Sequence, residues 1–204
     1  LPLGMRLADI ARGVPGAKLE GSGEVEVTGV AYDSRRVKPG DLFVAVSGLR
    51  EDGHAFAADA VNRGAVAVAL ERPGPTPAGI PMLLVPSTRV GLAEIAAEYY
   101  GRPSRRLKLA GITGTDGKTT TTHMAEHVLQ ASGMPAGAMS TVAFTVGGAE
   151  TDNRSGQTTT EAPQDQAWLQ RMVEAGVNCA VTETASQAPV QERARARDFD
   201  VAAF

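Results

Sequence analysis

A single cysteine, Cys179, stands in 204 residues. One thiol excludes an internal disulfide and fits a reducing cytoplasm, the expected location. No apolar run approaches the length of a membrane span, so membrane insertion is not expected. The first ten residues, LPLGMRLADI, lack the charge, apolar stretch and small-residue cleavage site of a signal peptide. Residues 1–4 read as a cloning scar before Met5. A net charge of −3 gives no reason to expect nucleic acid or an anionic membrane as partner. No internal repeat of solenoid period is present. What is present is an ordinary apolar fraction, 43%, enough for a core in one large or two modest domains.

Hydrophobic period and turn residues divide the chain into alternating strands and helices, the pattern of an α/β fold. Met5 to Arg12 reads as a short helix and Val25 to Val30 as one alternating strand. Leu42 to Val46, Ala65 to Leu70 and Met82 to Val85 read as buried strands, with a helix over His54 to Arg63. These form a small N-terminal module, residues 1–87. Thr88 to Tyr100 reads as a helix stopped by Gly101 and Pro103, so residues 88–106 are taken as a linker helix and boundary. Residues 107–204 then begin a second module with a parallel sheet. Its elements are strand Leu107 to Ile112, a helix from about Thr119 to Ala131, strand Ala136 to Val142 and a hairpin around Gly147-Gly148. Helix Ala162 to Glu174 and a strand from Val177 ending in Thr182-Glu183 follow. Asp200 to Phe204 starts one more strand. A strand at the last residue normally leads into more sheet, so the chain is expected to be a fragment cut inside its second domain.

The densest chemistry lies in LAGITGTDGKTTTT, residues 109–122. A buried strand runs into a glycine turn and then a helix. Gly114 and Gly117 allow a sharp bend and close approach of a ligand. The helix N-terminus favours an anion, Lys118 adds a mobile positive charge, and the Thr119 hydroxyl can bind magnesium. Gly114, Thr115, Asp116, Gly117, Lys118, Thr119 and Thr120 therefore suit the β- and γ-phosphates of a nucleotide such as ATP. The match to the general P-loop pattern is incomplete, because Ile112 stands where that pattern has its first glycine. The bland alternative is a glycine-rich turn with a chance lysine; the threonine run and the apolar strand argue against it.

Glu183, at the end of a buried strand, is either an exposed strand-end carboxylate or a magnesium ligand beside Thr119. The Gln157 to Thr160 cluster, Asp33 to Arg36 and Asp52 to His54 read on composition as polar loops. His123 and His127 share a helix face, but no third ligand is apparent, which argues against a metal there. Cys179 and Trp168 read as packing residues.

The segments YDSRRVKPGDLFVAVSGLREDGHAF, GITGTDGKTTTT, TTTEAP and ETASQAPVQERARARDFDVAAF, in this order, resemble the Mur ligases of bacterial cell-wall synthesis. Among these the chain looks most like those adding the third stem-peptide residue. The resemblance runs from about Met5 to Phe204. It implies a UDP-binding domain followed by the front part of a central ATPase domain. ATP and Mg2+ would activate the free carboxylate of UDP-N-acetylmuramoyl-L-alanyl-D-glutamate as an acyl phosphate, and an amino acid would attack it to give an amide. By resemblance Ser34, Tyr32 and Leu49, Arg50 and Glu51 lie at the uridine end. Thr158, Thr159, Ser186, Gln191 and Arg193 contact the muramoyl-dipeptide. Lys118 and Glu183 carry the catalytic charge work, and Thr119 and Glu183 hold the metal. The family's carbamylated lysine, adenine contacts and amino-acid domain would lie beyond Phe204, so this polypeptide is not expected to turn over alone.

Several positions depart from the family pattern. Asp116 stands for asparagine, Gln187 for histidine, Ala185 for serine, Thr160 for proline and Gln157 for asparagine. They keep a second reading alive, a divergent non-catalytic module that binds nucleotide or UDP-sugar. A third reading, a sister ligase of the folate or cyanophycin type, is disfavoured by the YDSR and DGH segments.

Overall fold

A computed structural model describes residues 4–48, 52–74, 76–155, 157–185, 192 and 194–204. The chain divides into two units, one running to Tyr99 and one from Tyr100 to Phe204.

The first unit runs β1 (Met5–Arg6), α1 (Leu7–Gly13), β2 (Lys18–Glu20), β3 (Glu26–Val27), β4 (Gly29–Ala31) and β5 (Asp41–Val44). It continues α2 (Ala57–Asn62), β6 (Ala67–Leu70), β7 (Met82–Leu84) and α3 (Thr88–Tyr99). Strand order in the main sheet is β2-β7-β6-β5-β4, with β4 to β7 mutually parallel and β2 antiparallel at one edge. Every residue of β5 and β6 is buried, as expected for parallel strands covered on both faces.

Three sequence readings change here. The alternating run Val25 to Val30 is two strands in two sheets: β3 pairs with β1, and β4 pairs with β5. Thr28 breaks the run, its amide donating to the Gly40 carbonyl at 2.9 Å. Alternation reveals a strand but not which neighbour it pairs with. The helix expected over His54 to Arg63 begins as a single 3₁₀ turn, Gly53–Phe56, and becomes α-helical only at Ala57. The helix set aside as a linker packs into the first unit as α3. Its Tyr99 hydroxyl donates to the Thr28 carbonyl at 2.5 Å.

The second unit runs β8 (Lys108–Ile112), α4 (Lys118–Ala131), β9 (Ala136–Met139), β10 (Ala143–Val146) and β11 (Ala149–Asp152). Then come α5 (Ala162–Glu174), β12 (Cys179–Glu183) and β13 (Val201–Ala203). Sheet order is β11-β10-β9-β12-β8-β13. Strands β9, β12, β8 and β13 are parallel, and β10 and β11 form an antiparallel hairpin on β9. Gly147 (φ 58°) and Gly148 (φ 83°) make its two-residue turn, where both positions require positive φ. β9 ends at Met139, three residues short of the expected strand, because the buried Ser140 hydroxyl donates to the Ala143 carbonyl and turns the chain.

Leu107, Leu109, Met139, Phe144, Leu169, Met172, Val177 and Ala180 form the core between the sheet and α5. Trp168 packs against Phe144 with ring centroids 4.7 Å apart, and Cys179 is buried in β12.

Candidate functional site

Between β8 and α4 the chain turns through Thr113 to Gly117. Gly114 (φ 135°) and Gly117 (φ 76°) hold backbone conformations that side-chain-bearing residues rarely adopt. Among the described residues, a Cβ on Gly114 would meet only the Asp116 carbonyl, at 3.9 Å, and one on Gly117 only the Thr121 hydroxyl, at 4.0 Å. Backbone angle requires these glycines; crowding does not.

The first-turn amides of α4 have no intrahelical acceptor, and the helix dipole makes that end positive. Lys118 folds back over the turn, its Nζ donating to the carbonyls of Gly114 (2.9 Å) and Thr115 (3.0 Å). Thr115, Asp116 and Thr120 are exposed.

β12 lies between β8 and β9 in a register that sets Glu183 opposite Ile112. Its carboxylate therefore emerges at the C-terminal edge of the sheet, beside the turn. Thr119 Oγ1 donates to Glu183 Oε2 at 3.1 Å, and Glu183 is only 3% exposed. The same oxygen accepts the Thr141 amide (2.8 Å) and hydroxyl (3.1 Å), and the Thr141 hydroxyl lies 3.0 Å from that of Thr158. The Thr119 hydroxyl and the Glu183 carboxylate are two hard oxygen donors brought within 3.1 Å of each other, the donor type that magnesium prefers. Among the described residues no group of three His, Cys, Asp or Glu is placed to hold a metal by itself.

Thr159 is buried, and its hydroxyl accepts the Ala185 amide at 3.0 Å. Asn153 fastens the loop before it, its Nδ2 donating to the carbonyls of Ser140 (2.8 Å) and Gln157 (2.9 Å). His123 Nε2 lies 2.9 Å from the Ser140 hydroxyl. Ser186, Gln187, Gln191 and Arg193 lie outside the described residues, as do Leu49, Arg50 and Glu51. Sequence reasoning missed Thr141. Extending the strand to Val142 concealed it, and the signal that finds it is the turn at Ser140.

In the first unit the polar groups gather at the corresponding edge of the sheet. Asp33 accepts the Arg35 amide (3.0 Å) and grips the Arg35 guanidinium at two points (2.9 and 2.8 Å), which holds the Asp33 carboxyl below its ordinary range. Ser34 beside it is buried and Tyr32 half-buried. After β5 and β6, His54 bridges two chain segments. Its Nε2 accepts the Glu71 amide at 3.0 Å, so Nδ1 carries the proton and donates to Asp52 Oδ1 at 2.6 Å. Glu71 Oε1 accepts the Thr88 amide (2.7 Å) and hydroxyl (2.9 Å). Composition suggests plain loops here; the structure shows an Asp33–Arg35 pair and, separately, a hydrogen-bond network through Asp52, His54, Glu71 and Thr88.

Asp52 is pulled down to about 2 from an ordinary 3.8, first by the His54 amide, then by the His54 ring and Arg72. A carboxylate depressed on folding contributes stability above pH 3.8, and loses it as the pH falls through about 2. Urea titrations from pH 6 down to pH 2, within roughly that acid-loss window, should show a steeper decline for the wild type than for Asp52→Asn. Parallel curves would mean that the pairing contributes nothing.

Comparison with known proteins gives the arrangement a context. Residues 112–204 match the Mur ligase middle domain, and residues 26–100 match a domain described as Mur ligase family, catalytic domain. The UDP-N-acetylmuramyl-tripeptide synthetase of Roseiflexus sp. (strain RS-1) is 48% identical over 184 residues, 88% of this chain and 36% of that protein. The UDP-N-acetylmuramoyl-L-alanyl-D-glutamate–2,6-diaminopimelate ligase of Syntrophomonas wolfei is 40% identical over 200 residues, 98% of this chain and 40% of that protein. A solved structure with that same ligase name superposes with a TM-score of 0.77 at 22% identity, over 98% of this chain and 40% of the other, which shows the shared α/β fold. The chain thus spans about two-fifths of the length of the relatives it matches. Two matched domains in order, and close relatives along nearly the whole sequence, show that this chain belongs to the Mur ligase family.

Proposed function

We propose that the two units are the UDP-substrate and nucleotide-phosphate portions of an ATP-dependent ligase. That ligase adds an amino acid to UDP-N-acetylmuramoyl-L-alanyl-D-glutamate through an acyl phosphate. One observation carries the reading: Lys118 and Thr119 open α4 where the buried Glu183 reaches the same sheet edge, with Thr119 Oγ1 and Glu183 Oε2 3.1 Å apart. Phosphoryl transfer asks a protein mainly for placement and charge neutralisation, and that is what this edge offers.

Backbone amides of residues 114–120 orient the β- and γ-phosphates. Lys118 exchanges its two carbonyl partners for the γ-phosphoryl oxygens. Thr119 and Glu183 would hold magnesium, which would supply positive charge to offset that developing on the phosphates. Thr158, Thr159, Ser186, Gln191 and Arg193 receive the muramoyl-dipeptide. Tyr32, Ser34, Leu49, Arg50 and Glu51 receive the uridine end. No residue of this chain is assigned to the incoming amine. The reading places the protein in the cytoplasm, where such a nucleotide-linked precursor would be made. No helix among the described residues is long and apolar enough to cross a membrane.

The second reading, a non-catalytic binding module, draws on Asp116. Its exposed carboxylate in the phosphate turn opposes an anionic ligand unless a cation compensates it. Calorimetry with two UDP-sugars addresses the substrate assignment. UDP-N-acetylmuramoyl-L-alanyl-D-glutamate should bind this chain about 10-fold or more tightly than UDP-N-acetylglucosamine, the yield of one or two added polar contacts. Equal affinities would exclude recognition of the dipeptide.

A further inference from the structure

Three donors converge on one oxygen, Glu183 Oε2: the Thr119 hydroxyl, the Thr141 amide and the Thr141 hydroxyl. The Thr141 hydroxyl also lies 3.0 Å from the Thr158 hydroxyl. A threonine hydroxyl has one proton to give and two lone pairs to receive. An oxygen ringed by three donors accepts only, so the Thr141 proton points at Glu183. The Thr158 proton must then point at Thr141. The chain of hydroxyls has one direction, from Thr158 through Thr141 to the carboxylate. Thr141 and Thr158 are half-buried and Glu183 is buried. Thr158 is left with lone pairs alone for whatever docks against it.

We infer that Thr141 is a positioning residue that ties Thr158 to the metal-side carboxylate. We infer also that Thr158 recognises a hydrogen-bond donor of the acceptor substrate, a peptide N–H or sugar O–H, and not a carboxylate or phosphate oxygen. The inference rests on the assignment of this edge to the muramoyl-dipeptide. It also links the two halves of the site, because the group that meets the dipeptide and the group that meets the cation share one proton chain.

The test is a double-mutant cycle, read as the dissociation constant of UDP-N-acetylmuramoyl-L-alanyl-D-glutamate with this chain. Thr141→Val keeps the backbone donor and the side-chain volume but removes the hydroxyl. It should weaken binding about 3- to 10-fold, the span of a single neutral hydrogen bond. Thr141→Ser, which restores the hydroxyl, should return to within about twofold of the wild type. Thr158→Val should cost a similar factor alone and nothing further in the Thr141→Val background. If Thr141→Val lowers the melting temperature, Thr141→Ala against Thr141→Ser is compared instead, with the same expectation.

Wild-type affinity in Thr141→Val, or losses that multiply in the double variant, would overturn the inference and leave the substrate assignment standing. No binding by the wild type would instead remove the assignment, and the inference with it. A co-crystal structure with Thr158 Oγ1 against a carboxylate or phosphate oxygen, and no N–H or O–H, would overturn the donor claim directly.

Discussion

A Lys118→Ala variant is expected to bind magnesium with a non-hydrolysable ATP analogue about 10- to 100-fold more weakly than the unchanged chain, since a hydrogen bond to a charged group is worth about 1.5–3 kcal/mol. The ammonium group is already poised, held by the carbonyls of Gly114 and Thr115 across the turn where the phosphates are proposed to sit. Removing it leaves the loop amides and the helix dipole, which attract an anion without a mobile countercharge. The fold should survive. Lys118 is a half-exposed first-turn residue, and alanine is the better helix former. A variant that melts like the wild type and still binds the analogue equally well would show that this turn does not hold the phosphates.

Arg197→Leu should destabilise the second unit by about 3–5 kcal/mol, whereas the double variant Asp165→Leu/Arg197→Leu should return to wild-type stability or exceed it by about 1–4 kcal/mol. The two side chains are each 1% exposed, and Arg197 Nη2 donates to Asp165 Oδ1. Asp165 Oδ2, Arg197 Nε and Arg197 Nη1 have no hydrogen-bond partner among the described residues. Burial pushes the Asp165 carboxyl above its ordinary range against the pull of Arg197. The attraction therefore offsets the loss of water poorly, yet removing one partner strands the other in the interior. Urea unfolding of the two single variants and the double provides the cycle. A double variant as unstable as the single would show that the site needs the charges and not merely the volume. Either result bears on how residues 196–197 are held against α5, since Gln166 Nε2 also donates to the Ala196 carbonyl at 3.2 Å.

Much of this architecture is legible in the sequence. Helix α5 begins and ends where the sequence reading placed it, because Pro163 marks a first turn and Gly176 marks a stop. The strand, turn and helix around Lys118 were legible because glycine spacing and a buried run report local geometry. The place of Glu183 at the end of β12, beside Thr119, was legible through topology, since a parallel strand carries its last residue to the same sheet edge as the turn after β8. Features decided by distant partners were not. Nothing in Val25 to Val30 says that its two halves serve different sheets. Asp165 and Arg197 are 32 residues apart, and no periodicity pairs them. Thr141 escaped because Ser140 ends β9 through a side-chain bond that strand propensity does not anticipate.

The neighbours of β8 have a consequence for the order of assembly. The strand that launches the glycine turn is hydrogen-bonded to β12 on one side and β13 on the other. Its contacts reach across 72 residues from Thr182 to Ala110 and 91 from Asp200 to Leu109. A ribosome releases the turn long before it releases either flanking strand. The proposed nucleotide site can form only after those late segments arrive, so any nucleotide binding should appear as one of the last events of refolding. Until then the exposed edges of β8 are open to neighbouring chains, and dilution during refolding should raise the yield.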